Sequence, residues 1–249
     1  MIIDSHAHCG IIARFPPQSF EDYWSAVKGS PIEGVVMFSP VMEIYDREDP
    51  DFEDTEAWRE QRKRSNQYLL GLENRELRVF PFFFIWNDFA VDQLDCRYCG
   101  IKWHRHVDEP EYRYDDPACA RAVEEIRRRN LPVVFEEEFS NTVKFVTQIA
   151  AGVRVIIPHL GMLNGGYRAI KRCGLWDNPM VHTDTSLASS AEILDYIEHY
   201  GSGRIMFGSD FPFGRPKKEL VKVMDLPVSE PVRQAMLGEN FRRLVNSIG

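Results

Sequence analysis

Positive charge is in short supply in this chain. Its 249 residues carry 30 Lys and Arg against 38 Asp and Glu, for a formal net charge of −8. A protein that grips nucleic-acid phosphates is normally basic, so no nucleic-acid partner is expected. Cysteine is also scarce, at five. An odd count argues against a disulfide framework and for a reducing, cytoplasmic compartment. Cys96 and Cys99 form a lone C-x-x-C without a second pair, and read as ordinary thiols near the start of a strand. No apolar run approaches the ~20 residues of a membrane helix, so no membrane partner is expected. Met1 leads straight into a predicted strand, with no targeting segment read before it. Low-complexity linkers and internal repeats are missing too, which leaves one domain over residues 1–249.

Short apolar runs alternate with amphipathic stretches. Strands are predicted at residues 1–7, 34–38, 78–85, 100–104, 132–136, 153–159, 180–184 and 204–209. Several are rich in Val, Ile and Phe with little alternation, as strands buried on both faces are. Asp116-Pro117 opens a helix over 118–129, with the proline at its first position. Ser140 caps a helix over 141–151 that Gly152 stops, and Ser189 or Ser190 caps one over 191–200 that Gly201 stops. A helix begins at Glu56, and a final one covers 230–246. Eight strand–helix units in about 250 residues point to a single (β/α)8 TIM barrel. The stretch 41–55 follows strand two, on the face where barrel enzymes place their sites, and is a candidate lid or substrate loop. A solvated acidic excursion is the alternative.

The polar residues at predicted strand ends are the candidate site. Strand one carries Asp4, His6 and His8. Residues two apart on a strand share a face at roughly 6–7 Å, within reach of one metal ion. Strand four brings Lys102 and His104, strand five Glu136, Glu137 and Glu138, strand six His159, strand seven Asp184 and strand eight Asp210. An open set of imidazoles and carboxylates suits a catalytic divalent ion with a bound water, where a structural zinc site closes with four ligands.

These motifs resemble a known family. Asp-x-His-x-His at 4–8, Gly-Ile-Lys at 100–102, Pro-His-Leu-Gly at 158–161 and Phe-Gly-Ser-Asp-Phe-Pro at 207–212 look like the amidohydrolase superfamily. More narrowly they look like its amidohydrolase-related branch, which holds metal-dependent hydrolases and also aminocarboxymuconate semialdehyde decarboxylase and its relatives. The resemblance implies that His6, His8 and Asp210 hold one divalent metal, usually zinc, and that His159 handles protons or polarises the substrate beside it. The family normally ends strand five with a ligand histidine, and here Glu136 stands in that place. A glutamate still ligates zinc and shifts preference toward harder ions such as manganese; a base or substrate-binding role, or a metal-free site, is left open.

The resemblance places Lys102 near the substrate. His104 shares its strand face, and Arg14, Arg47 and Arg105 are further candidates for holding a carboxylate. Asp4 shares the predicted face of His6 and is read as orienting an imidazole ligand or as a buried cap. Asp184 is read as structural. The expected function is metal-assisted hydrolysis of a small ester, lactone, amide or other C–N bond. Decarboxylation of an aromatic or unsaturated acid, hydration of its double bond, and a non-catalytic binding barrel are the alternatives. A small-molecule substrate is the expected partner, and a homodimer the one protein assembly allowed for.

Overall fold

A computed structural model describes residues 1–12 and 14–246. Among them, eight strands form one sheet in chain order, every adjacent pair parallel. They are β1 (Ile2–His8), β2 (Ile32–Phe38), β3 (Arg78–Phe84), β4 (Gly100–His104), β5 (Val133–Glu136), β6 (Val155–Ile157), β7 (Val181–Asp184) and β8 (Ile205–Met206). The sheet curls into a nearly closed barrel surrounded by helices, the (β/α)8 architecture expected from the alternation of segments.

The helices are α1 (Phe20–Val27), α2 (Glu56–Leu70), α3 (Pro117–Arg128), α4 (Phe139–Lys144), α5 (Tyr167–Arg172), α6 (Ser190–Tyr200), α7 (Pro216–Met224), α8 (Glu230–Gln234) and α9 (Asn240–Asn246). Asp116 caps α3 through the Ala118 N–H, and Ser189 caps α6 in a reciprocal box with Glu192. The helix expected over 141–151 starts earlier, at Phe139 behind Glu138, and finishes in a π-helical turn over Phe145–Ile149. Another π-helical turn, Ala235–Glu239, separates α8 from α9 in the stretch expected to be one helix. No described helix is long and apolar enough to cross a membrane. The five cysteines are free, Cys96 exposed and Cys99 half-buried.

Two apolar layers follow from the pleat. Ile3, Val36, Phe80, Phe82, Val134, Ile156 and Met206 fill the barrel lumen, and Phe241 of α9 closes its lower end, its ring 5.0 Å from that of Phe80. The alternate residues, such as Val35, Ile101, Val133 and Val181, pack outward on the helices.

Strand β1 departs from this alternation. Its pairing with β2 slips between Asp4 and Ala7. Ile3 faces the lumen, and so do the rings of His6 and His8, each 4.8 Å from Phe38. Asp4 therefore does not share the face of His6, as strict alternation predicts. It turns outward to α1, where the Tyr23 hydroxyl donates to it at 2.9 Å. A bulge re-aims side chains in this way.

Asp4 is instead part of the seam that joins the first strand to the last. The Ser209 N–H and hydroxyl donate to its two oxygens at 2.8 and 2.6 Å, and the His6 N–H donates at 3.3 Å. Backbone bonds complete the seam. The N–H groups of Ser5, His8 and Asp210 reach the carbonyls of Phe207, Phe211 and His6, each at 2.8 Å. Strand β8 is shorter than predicted because beyond it the Phe207 N–H donates to Met236 and the Ser209 N–H to the Asp4 carboxylate.

Replacing Asp4 by alanine strands buried donors from Tyr23 and Ser209. Each such group costs about 1–3 kcal/mol, so Asp4→Ala is expected to lose roughly 3 kcal/mol or more in urea denaturation. A loss below about 1 kcal/mol would show that the seam does not rest on this carboxylate.

Candidate active site

The upper end of the lumen exchanges apolar side chains for charged ones. His6, His8, Lys102, His104, Glu136, His159, Asp184 and Asp210 are all buried there. Three of them form one group. His6 Nε2 and His8 Nε2 lie 3.4 and 3.2 Å from a single oxygen, Oδ1 of Asp210. Asp210 sits in the left-handed region, at φ 57°. Its own N–H is tied to His6, and the Gly214 N–H donates to its carbonyl at 2.9 Å. A Cβ at Gly214 would run into the Ser209 carbonyl, so the turn that presents Asp210 needs glycine there.

Asp184 turns out to belong to the site. Its Oδ2 accepts from His6 Nδ1 at 2.9 Å, and its Oδ1 accepts the N–H groups of His159 at 3.1 Å and Ser186 at 3.0 Å and the Ser186 hydroxyl. This contact decides the state of His6. With Nδ1 donating to Asp184, neutral His6 carries its lone pair on Nε2. That buried Nε2 has no hydrogen-bond partner, and it faces another acceptor, Asp210 Oδ1. Two buried acceptors brought together call for a cation between them.

The residues fit a divalent ion. Tetrahedral ligands about 2.0–2.1 Å from zinc stand about 3.3 Å from one another, close to the two separations here. A carboxylate behind a ligand imidazole, as Asp184 stands behind His6, is the usual support for such a ligand. Ligand imidazoles must also be neutral. Burial, aided by the Lys102 charge, lowers His6 below the ordinary histidine range. Burial takes His8 down to about 4 against the pull of Asp210.

Glu136 lies outside that trio. Its Oε2 pairs with Lys102 Nζ at 3.1 Å, and its Oε1 meets His104 Nε2 at 3.1 Å and His106 Nε2 at 2.8 Å. Three groups of possible ligands occur among the described residues: His6, His8 and Asp210; His6, His159 and Asp184; and His104, His106 and Glu136. The place expected for a fourth ligand of the first ion is therefore drawn to the β4 side, because Lys102 and two imidazoles hold the carboxylate there. Burial opposes its ionisation, but Lys102 and His104 outweigh burial and keep Glu136 well below the ordinary carboxylate range.

His159, 2% exposed, is reached through the same carboxylates. Its Nδ1 meets the Ser186 hydroxyl at 2.7 Å and its Nε2 stands 3.5 Å from Glu136 Oε2. Burial disfavours its charge, yet Asp210, Glu136 and Asp184 together push it up to about 9. His159 and Leu160 both have positive φ, 55° and 49°. Such strain in non-glycine residues persists only where surrounding bonds hold it.

A cavity of 350 Å³ opens above these groups. His8, Asp210, Glu136, His104 and His106 are at its polar end, and Phe15, Met42, Met162, Leu163, Leu187 and Phe213 supply most of its wall. Lys102 does not line it; its ammonium lies between Glu136 and the Phe38 ring, 4.4 Å from the centroid. Arg47 does line it, but is paired with Glu109 and stands 3.2 Å from His106 Nδ1. Arg105 is buried between Glu137 and Glu138, and Arg14 is exposed and does not line the cavity, although Phe15 beside it does. Of the stretch 41–55, Val41, Met42 and Arg47 form part of the wall. That segment is pinned by the Tyr45 hydroxyl, which donates to Glu109 at 2.6 Å, and by Arg62, which pairs with Asp54 at 3.0 Å.

Ser186 and His106 are the site residues that sequence reasoning passed over, and Asp184, named among the strand-end candidates, was read as structural. Asp184 had a signal, being the last residue of a strand in a barrel, and His106 completes a second His-x-His after His104.

The chain belongs to the amidohydrolase family: a family profile described as Amidohydrolase matches residues 3–246. No curated protein matches it in sequence. Among solved structures it is similar to a 2,6-dihydroxybenzoate decarboxylase from Rhizobium, at 15% identity and TM-score 0.75 over 100% of this chain and 99% of that one. It is similar to a protein assigned as a 2-pyrone-4,6-dicarboxylic acid hydrolase from Pseudomonas putida, at 17% identity and TM-score 0.68 over 98% and 97%. It is also similar to a dihydroxybenzoic acid decarboxylase from Polaromonas sp. JS666 with bound manganese and 2-nitroresorcinol, at 12% identity and TM-score 0.70 over 98% and 96%. At these identities the likeness is one of fold.

The raised pKa of His159 has a testable sign. The folded value, about 9, lies above the ordinary histidine value of about 6.5. Its contribution to stability is therefore complete below about 6.5 and disappears as pH rises through about 9. In the metal-free protein, NMR of the His159 ring should show an imidazolium at pH 7.5 and titration near 9. A neutral ring at pH 7 would contradict this placement of charges.

Proposed function

We propose that this amidohydrolase-family protein is a metal-dependent hydrolase of small, uncharged, largely apolar esters, lactones or amides. The observation that carries the reading is the buried lone pair of His6 Nε2 set against Asp210 Oδ1 at the floor of a mainly apolar cavity. His6, His8 and Asp210 would hold the ion, zinc or manganese. Bound there, it supplies Lewis acidity and a water made acidic enough to attack near neutral pH.

The chain's own residues divide the remaining work. Asp184 holds His6 by Nδ1 and so keeps its Nε2 directed at the ion site. Asp210 lines the cavity and stays ionised; burial resists this, but the charge of His159 prevails. Its carboxylate accepts the proton of the attacking water. His159 holds its proton 3.5 Å from Glu136 Oε2, and its positive charge keeps Asp210 ionised; Asp210 then passes the proton it has taken from the water to the leaving group. The apolar wall holds the acyl portion and excludes bulk water.

Decarboxylation of an aromatic acid is the second reading, favoured by Phe15 and Phe213 in the wall. Against it, Arg47 is the one guanidinium among the described lining residues, and Glu109 already neutralises it. A substrate carboxylate would therefore meet no free arginine in the cavity.

Protein loaded with zinc or manganese should hydrolyse members of a panel of neutral esters and lactones and release no CO2 from hydroxybenzoates. Asp210→Asn should lower kcat/KM by about 10³-fold. Its melting temperature should change little, since asparagine accepts the left-handed backbone as readily as aspartate. CO2 release without ester turnover would transfer the protein to the lyase reading, and full activity of Asp210→Asn would remove the proposed base.

A further inference from the structure

The β4 side of the cavity carries a second convergence of imidazoles and carboxylate. His104 ends β4, and His106 follows two residues later. Their rings lie 4.6 Å apart, and both Nε2 atoms address one oxygen, Glu136 Oε1, at 3.1 and 2.8 Å. Lys102 takes the other oxygen, Oε2. Behind the rings stands Glu109, 3.8 Å from His104 Nδ1 and 3.6 Å from His106 Nδ1. Glu109 is itself held by the Tyr45 hydroxyl at 2.6 Å, the His106 N–H at 3.1 Å and the Arg47 guanidinium.

His104 sits between two carboxylates. If Nε2 carries the proton, the lone pair on Nδ1 faces Glu109; that buried Nδ1 has no hydrogen-bond partner. If Nδ1 carries it, the lone pair on Nε2 faces Glu136 Oε1. Either neutral form sets a buried acceptor against an anion, the same conflict that marks His6. A divalent ion shared by His104 Nε2, His106 Nε2 and Glu136 Oε1 removes it and leaves the His104 Nδ1–H pointing at Glu109, the arrangement expected behind a ligand imidazole; His106 Nδ1, which now takes a hydrogen bond from Arg47 at 3.2 Å, must turn from that guanidinium to Glu109, 3.6 Å away, when its Nε2 binds the ion.

We infer that His104, His106 and Glu136 form a second divalent-cation site, open to the cavity and suited to zinc or manganese. Two histidines, a glutamate and an open position make a known catalytic zinc set. The 2.8 Å contact to His106 is shorter than the roughly 3.3 Å between tetrahedral ligands, so this ring must withdraw slightly; with its side chain 34% exposed, it has room. The site stands apart from the His6, His8 and Asp210 group and does not depend on the reading of that group. With both filled, a substrate oxygen in the cavity would have a second Lewis acid within the same pocket.

Metal content decides the matter. Wild type, His106→Ala, His106→Gln and His8→Ala are dialysed against zinc, then against metal-free buffer, and counted by plasma mass spectrometry, with circular dichroism to confirm folding. About two ions per chain are expected in wild type and about one in each variant. His106→Gln retains a side chain able to bond Glu136, so its loss of zinc reports ligation and not packing. Wild-type metal content in both His106 variants overturns the inference, as does a metal-free wild type. A single ion lost only in His8→Ala overturns it while sparing the β1–β8 site; a single ion lost only in the His106 variants supports it and removes the β1–β8 site instead.

Discussion

Everything at the top of this barrel depends on how its last strand is fastened to its first. The fastening is not a long ladder. It consists of backbone bonds among Ser5, His6, His8, Phe207, Asp210 and Phe211, and of one outward-facing carboxylate, Asp4, that takes both the N–H and the hydroxyl of Ser209. The same turn that accepts this clamp presents Asp210 to the lumen. Residues at the two ends of the chain thus meet within hydrogen-bond range because one bulged strand sends Asp4 out and His6 in.

Burying so many charges is tolerable only where each has a counterpart. Lys102 is wholly buried against Glu136, and Asp184 and Asp210 surround His6 and His159. Two places fail to balance, the lone pair of His6 that faces Asp210 and the His104 ring between Glu109 and Glu136. In a site that otherwise pairs its charges, these are where binding free energy from outside has something to act on. The left-handed backbone at His159, Leu160 and Asp210 belongs to the same pattern, since strain persists at sites whose surroundings over-determine them.

Much of the barrel was legible in the sequence. All eight strands lie where Val-, Ile- and Phe-rich runs are interrupted by capping residues, because a parallel sheet covered on both faces leaves little room for polar side chains. Short helices were harder. The helix α1 went unread although Ser19 and Asp22 form a capping box, and α5 and α7 lack side-chain caps altogether. The site was partly legible: His6, His8 and Asp210 come together, whereas Glu136 is drawn to His104 and His106. That preference depends on the register of β4 against β5, which sets His104 beside Glu136, and no local pattern records it. The outward turn of Asp4 was invisible for a similar reason, since a one-residue bulge reverses a face without altering composition.

The central claim is that a divalent ion belongs between His6 Nε2, His8 Nε2 and Asp210 Oδ1. Crystals grown with zinc, measured on both sides of the zinc absorption edge, test it most directly. The account predicts an anomalous peak bonded to those three atoms at about 2.0–2.2 Å, with Asp184 still on His6 Nδ1. A map without density at that point, from protein that hydrolyses its substrate at full rate after chelation, would contradict it.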